Sequence, residues 1–221
     1  MAQTRSFRVL LVRHGLTDDN LGGIAQGQRQ VPLNETGRQQ ARQLAGHLAG
    51  EGLVADVIVS SDLCRAAETA QIIAAVINAP LVYDPQWRER SLGELEGQVV
   101  GVEGIWLAAI GEHTPVGAES LPQFFDRIRT AMCGLGAQHP AANTIVVVAH
   151  GGPLRSILQM LHDGILPLAD GQRRPEVMNI VNCSVMELEC DVRGSSQRWR
   201  LIRLNDARHL DAGAAKVVDA G

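Results

Sequence analysis

The sequence predicts an α/β fold: a three-layer sandwich with a mostly parallel central sheet and helices on both faces. Short apolar runs alternate along the chain with longer stretches whose apolar residues recur at helical spacing, and that alternation implies parallel strands covered on both sides. The 221 residues, 45% of them hydrophobic, suffice for a substantial core in one domain spanning 1–221. No internal repeat or linker divides them.

"FRVLLVR" (7–13) reads as a strand, and "NETGRQQARQLAGHLAGEG" (34–52) places Ala41, Leu44 and Leu48 on one helical face and ends on glycine. "DVIVSS" (56–61) is the next strand, and Asp62 is the expected N-cap of the helix through "LCRAAETAQIIAAVI". A short strand "LVYD" (81–84) follows Pro80. Residues 85–118, rich in Gly and Pro, read as a short cap-like insertion with a weak helix at 103–110, where Ile105 and Trp106 face either the core or a ligand. A helix at 119–138 leads into the most apolar strand, "TIVVVAH" (144–150), and another helix begins at Gly151. "NCSVMELEC" (182–190) and "RWRLIRL" (198–204) complete the sheet, and the tail from Asp206 shows little pattern.

Charge and cysteine usage exclude several classes. A net charge of −4 argues against broad nucleic-acid or anionic-membrane binding, which needs clustered basic surface. The four cysteines, Cys64, Cys133, Cys183 and Cys190, lack zinc-site spacing and read as reduced. The start of the chain does not pattern as a signal peptide and no apolar run reaches transmembrane length, so a cytoplasmic protein is expected, plausibly a homodimer.

Three strands end in residues a core does not need. The first runs into Arg13, His14 and Gly15, the second is followed by Arg65 on the first turn of its helix, and the "TIVVVAH" strand ends at His150 before Gly151 and Gly152. In open α/β sheets the site lies at the carboxyl ends of the strands, where helix N-termini offer N–H groups to anions. Two arginines and two histidines converging there make an anion site. A neutral imidazole can attack phosphorus while the cations neutralise the equatorial oxygens. A leaving alkoxide needs a proton, and Glu89, Glu94 and Glu96 stand in one loop to supply it. Singly, each residue has an ordinary explanation: Arg65 pairing with Glu68 at helical spacing, a core histidine at 150, a solvated carboxylate at 89. Joint placement favours the site. No cysteine is followed six residues later by arginine, and neither DxDx[TV] nor GxxxxGK[ST] is present, so other phosphoryl-transfer loops are absent from the sequence.

Six motifs in chain order resemble the histidine phosphatase superfamily, in its phosphoglycerate-mutase-like branch. "LLVRHGLTDDN" is similar to its RHG-x(4)-N opening, "PLNETGRQQA" to PL-x(3)-G-x-x-QA, and "VSSDLCRAAETA" to SS-x-L-x-RA-x-x-TA. "WRERSLGELEG", "GAES" (117–120) and "VVAHGGPLRSIL" resemble its acid loop, its GGES turn and its second histidine motif. The resemblance implies that His14 is the phosphorylated nucleophile and Glu89 the proton donor, with Arg13, Arg65 and His150 completing the phosphate pocket. It further implies hydrogen bonds to phosphate from Asn20, Thr17 and the N–H of Gly151, a substrate border at Gln26 and Gly27, and turnover without metal or other cofactor. Two positions depart from the family pattern: Leu16 replaces a common Glu or Gln, and Leu92 a tyrosine that contacts substrate in mutases. A mutase must also hold a phosphoglycerate carboxylate, yet no Lys or Arg lies between Arg90 and Arg127, and His113 is the sole candidate cation there. The expected activity is hydrolysis of a small phosphomonoester. The alternatives are a cofactor-dependent phosphoglycerate mutase and a non-catalytic phospholigand binder.

Overall fold

The computed structural model describes residues 4–100 and 114–210. Strand β1 (Thr4–Arg13) lies at the centre of a six-stranded sheet, parallel to β4 (Thr144–Ala149) on one side. Beyond β4 come β2 (Val57–Ser60) and β3 (Leu81–Tyr83), also parallel. On its other side β1 pairs antiparallel with β5 (Val185–Arg193), which pairs antiparallel with β6 (Ser196–Asp206). The sheet is thus mixed, with order β3-β2-β4-β1-β5-β6.

Alternation along the strands builds two apolar layers. Val9, Leu11, Ile145 and Val147 face α4 (Leu121–Gln138) and α5 (Gly151–Asp163), against Ile128, Leu135, Leu154 and Ile157. Leu10, Val12, Val146 and Val148 face α2 (Glu35–Gly50) and α3 (Cys64–Ile77), against Leu44, Leu48, Ala66 and Ile73. The expected three layers are present. α2 begins where Asn34 accepts a hydrogen bond from the Gly37 N–H at 2.8 Å, and α4 begins with a capping box between Ser120 and Gln123. α2 also presses on the loop after β1, where a Cβ on Gly37 would stand 2.1 Å from the Leu16 carbonyl oxygen. Only glycine permits that approach.

Asp62 does not cap α3: Leu63 occupies the N-cap without a side-chain cap bond, because the Asp62 carboxylate turns to Arg88, whose Nε donates to it at 2.6 Å. The stretch read as tail from Asp206 is structured as far as Leu210, which is buried, while His209 Nε2 lies 2.9 Å from the Cys183 carbonyl oxygen. A short helix α1 (Asp18–Leu21), too brief to show periodicity, stands after the first loop. Within 85–118 there are 3-10 turns at Pro85–Trp87 and Gly93–Leu95, whereas the weak helix at 103–110, with Ile105 and Trp106, lies outside the described residues. Among the described residues no helix is long and apolar enough to cross a membrane.

Candidate active site

The register of β1 on β4 pairs Arg13 with Ala149, so the residues that follow, His14 and His150, emerge side by side. Their ring centroids are 5.1 Å apart. Arg65 arrives from the first turn of α3, and all four side chains are buried: Arg13 is 4% exposed, His14 2%, Arg65 1% and His150 0%. Two guanidinium groups held beside two imidazoles in so little water form a strong electrostatic trap for an anion.

Hydrogen bonds define the imidazole of His14. Its Nδ1 lies 2.7 Å from the Gly15 carbonyl oxygen, which can only accept, so Nδ1 carries the hydrogen and Nε2 keeps its lone pair. The backbone around it is pinned on every side. The His14 N–H donates to the Ala149 carbonyl at 2.9 Å, and Asn182 Nδ2 donates to the His14 carbonyl at 2.9 Å. The Gly15 N–H donates to Thr69 Oγ1 at 3.1 Å, and the Leu16 N–H to Gln40 Oε1 at 2.9 Å. Sequence reasoning did not single out Asn182, Thr69 or Gln40. The last two lie within the QA and TA motif segments, the one signal that could have marked them.

Arg65 does not pair with Glu68, whose carboxylate takes the Arg38 Nε at 2.6 Å. Its guanidinium donates instead to the carbonyls of Gly27 and Arg29, at 2.8 and 2.9 Å, which brings the Gln26–Gly27 loop to the site. Arg13 is steadied by the Ile180 carbonyl at 2.6 Å. His150 Nε2 sits 2.9 Å from Ser61 Oγ, while its Nδ1 is buried without a protein partner. Gly151 opens α5 beside Arg13: a Cβ there would be 3.6 Å from the guanidinium carbon. Thr17 and Asn20 cap α1 reciprocally, since Asn20 Oδ1 accepts from the Thr17 N–H at 3.1 Å and Thr17 Oγ1 accepts from the Asn20 N–H at 3.1 Å. Leu16 and Leu92 are both buried.

Of the three loop carboxylates, Glu89 reaches the site. Its Oε2 accepts from the Gly152 N–H at 2.9 Å on the first turn of α5, and Oε1 from the Arg90 N–H at 2.8 Å. Glu96 is spent on the loop itself, accepting from the Gln28 and Leu92 N–H groups at 3.0 Å each.

Burial holds both histidines well below their ordinary pKa, reinforced at His14 by Arg65 and then Arg13, and at His150 first by Arg65. Burial also pulls Arg65 down to about 10, so it stays charged at neutral pH. A neutral His14 imidazole beside two cations keeps the lone pair that a nitrogen nucleophile needs. The same shifts set a stability profile. The unfolded chain takes protons on these histidines near pH 6.5 while the native state resists them, so the stability they confer is present above that pH and is lost as pH falls. Below the unfolded value each histidine is expected to cost about 1.4 kcal/mol per pH unit until the native state protonates. Urea melts between pH 7.5 and 5 check this, and an unchanged midpoint would contradict it.

Comparison with known proteins gives a consistent family. The model described as histidine phosphatase superfamily (branch 1) matches residues 9–207. "Phosphoglycerate mutase-like protein 4" of Arabidopsis thaliana is 40% identical over 213 residues, 92% of this chain and 86% of that protein. "Uncharacterized phosphatase PhoE" of Bacillus subtilis is 29% identical, covering 91% of this chain and 96% of that one. A solved mycobacterial glucosyl-3-phosphoglycerate phosphatase, in complex with VO3, superposes with a TM-score of 0.73 at 31% identity, over 90% of this chain and 99% of that one.

Proposed function

Because the chain belongs to branch 1 of the histidine phosphatase superfamily, we propose that it is a metal-independent phosphomonoesterase, hydrolysing a small phosphorylated metabolite through a phosphohistidine on His14. One observation carries the reading: the Nδ1–H of His14 is committed to the Gly15 carbonyl, which leaves the Nε2 lone pair for phosphorus.

In the first step Nε2 forms a bond to phosphorus as the ester P–O bond breaks. Arg13, Arg65, His150 and the Gly151 N–H hold the equatorial oxygens, with Asn20 and Thr17 at the pocket wall and Gln26 and Gly27 bordering the substrate. The leaving alkoxide takes its proton from Glu89 in its acid form. In the second step Glu89, now a carboxylate, takes a proton from water as the water oxygen attacks phosphorus. The P–N bond breaks, phosphate leaves and His14 is neutral again.

Hydrolysis is favoured over mutase chemistry by the state of the nearby cations. Arg88 is paired with Asp62, Arg127 with Glu119, and Arg90 Nε donates to the Glu119 carbonyl at 2.7 Å, so each of the three guanidinium groups nearest Glu89 in the sequence and its loop already has a protein partner. The names of similar proteins divide: the Bacillus relative and the mycobacterial neighbour are named phosphatases, the Arabidopsis relative phosphoglycerate mutase-like.

The test is phosphate release in EDTA from p-nitrophenyl phosphate, 3-phosphoglycerate, sugar phosphates and nucleotides. Metal-free hydrolysis of at least one is expected. Transfer between phosphoglycerates faster than hydrolysis would establish the mutase instead, and binding without release the silent binder.

A further inference from the structure

We infer that Arg127, on α4, is a positioning residue for the acid of this reaction: its guanidinium fixes the backbone from which Glu89 projects. The inference rests on the proposed role of Glu89. Residues 86–89 leave the sheet after β3 and have no ladder partners, so their carbonyls need donors from elsewhere. Arg127 supplies three of the four. Nη1 donates to the carbonyls of Gln86 and Arg88 at 2.6 and 2.9 Å, and Nη2 to that of Glu89 at 3.3 Å. The two remaining N–H groups go to Glu119, Nε to Oε1 at 2.8 Å and Nη2 to Oε2 at 2.6 Å. All five donors of the side chain are thereby used, three on the acid loop and two on a carboxylate that balances the charge.

Surroundings hold the clamp rigid. The guanidinium carbon lies 5.1 Å from the centroid of the Phe124 ring, one turn earlier on α4, and the ion-paired side chains of Arg127 and Glu119 are only 21% and 17% exposed. Gln28 Nε2 donates to the same Glu89 carbonyl at 3.1 Å. The backbone of Glu89 is therefore fixed by Arg127 and Gln28, while its carboxylate is fixed by the Gly152 and Arg90 N–H groups. Lysine has three donors and no planar fork, so it cannot reproduce this pattern.

A merely structural arginine would lower the rate on all substrates alike. A positioning residue for the acid acts where a proton must be delivered. The experiment compares kcat/KM on p-nitrophenyl phosphate, whose leaving group is weakly basic, with kcat/KM on the alkyl phosphate the wild type hydrolyses best. Glu89→Gln is expected to lose about 10²-fold or more on the alkyl ester and far less on the aryl ester. Arg127→Ala is expected to shift the ratio the same way by about 10-fold or more, since small misplacements of a catalytic group cost this much. Arg127→Lys should fall between, and Arg127→Ala should shift the ratio no further in a Glu89→Gln background. Equal losses on both esters in Arg127→Ala overturn the inference, and so does an unchanged ratio in Arg127→Lys if the alanine variant fails to fold. If Glu89→Gln itself leaves the ratio unchanged, the acid assignment is wrong and the clamp falls with it.

Discussion

Replacing His14 by alanine is expected to reduce phosphate release by about 10⁴-fold or more while phosphate is still bound. The reason lies in how the work is divided. In the proposed reaction binding rests on Arg13, Arg65, His150 and the start of α5, and the hydrogen bonds that hold the three side chains run to Ile180, Gly27, Arg29 and Ser61 rather than to the His14 ring. Bond formation in that reaction is assigned to His14 Nε2 alone. The fold should persist, because the contacts that pin position 14, from its N–H to Ala149 and from Asn182 to its carbonyl, are backbone contacts that alanine keeps. Phosphate binding should be measurable by calorimetry in the variant. The wild type quenched during turnover should carry an acid-labile, alkali-stable phosphoryl label that the variant lacks. Turnover within about 10-fold of wild type in His14→Ala would place the nucleophile elsewhere.

The parts of this architecture legible in the sequence were those where residue type contrasts with its surroundings. Arg13 and His14 stand out because they end a run that fills both apolar layers, and His150 stands out at the end of β4 for the same reason. Arg65 was legible from its place just after a strand, and Glu89 from its loop. Residues whose work is a hydrogen bond to a distant backbone were not. Asn182 reaches His14 across 168 positions and Thr69 reaches Gly15 across 54, and a neutral polar side chain carries no pattern that reveals its partner. Arg127 looks like an ordinary charge in a helix until its contacts with residues 86–89 are seen. Asp62 has the chemistry of an N-cap, but Arg88 competes for its carboxylate and a charge-assisted bond prevails. Glu187 sits in the apolar strand β5 at 4% exposure because Arg8 and Arg203 both bind it, at 2.6 Å each, a pairing that periodicity cannot foresee. The antiparallel direction of β5 and β6 was equally hidden, since buried strands read alike in either direction.

Gly152→Ala is expected to separate stability from activity. Gly152 is the second residue of α5 and has no positive φ, so alanine suits its backbone and should raise helix propensity by up to about 1 kcal/mol. A Cβ at this position, however, would stand 1.9 Å from Glu89 Oε1 and 2.8 Å from its carboxyl carbon. Something must move. The obstacle is the far end of a flexible side chain rather than backbone, so the carboxylate gives way and the helix does not. Glu89 then loses its 2.9 Å bond from the Gly152 N–H and leaves the start of α5, the place the proposed reaction assigns to the phosphoryl group. At Gly151 the same added carbon would only touch the Arg13 guanidinium at 3.6 Å, an ordinary contact. The expected result is a melting temperature equal to or above wild type, together with a loss of about 10²-fold in kcat/KM on alkyl phosphates and a smaller loss on p-nitrophenyl phosphate. Thermal melts and the two rate measurements suffice to check it. Full activity on alkyl esters would show that Glu89 delivers its proton from some other position than the one it occupies beside α5. Destabilisation with equal losses on both esters would show that the clash is relieved by the helix and not by the acid.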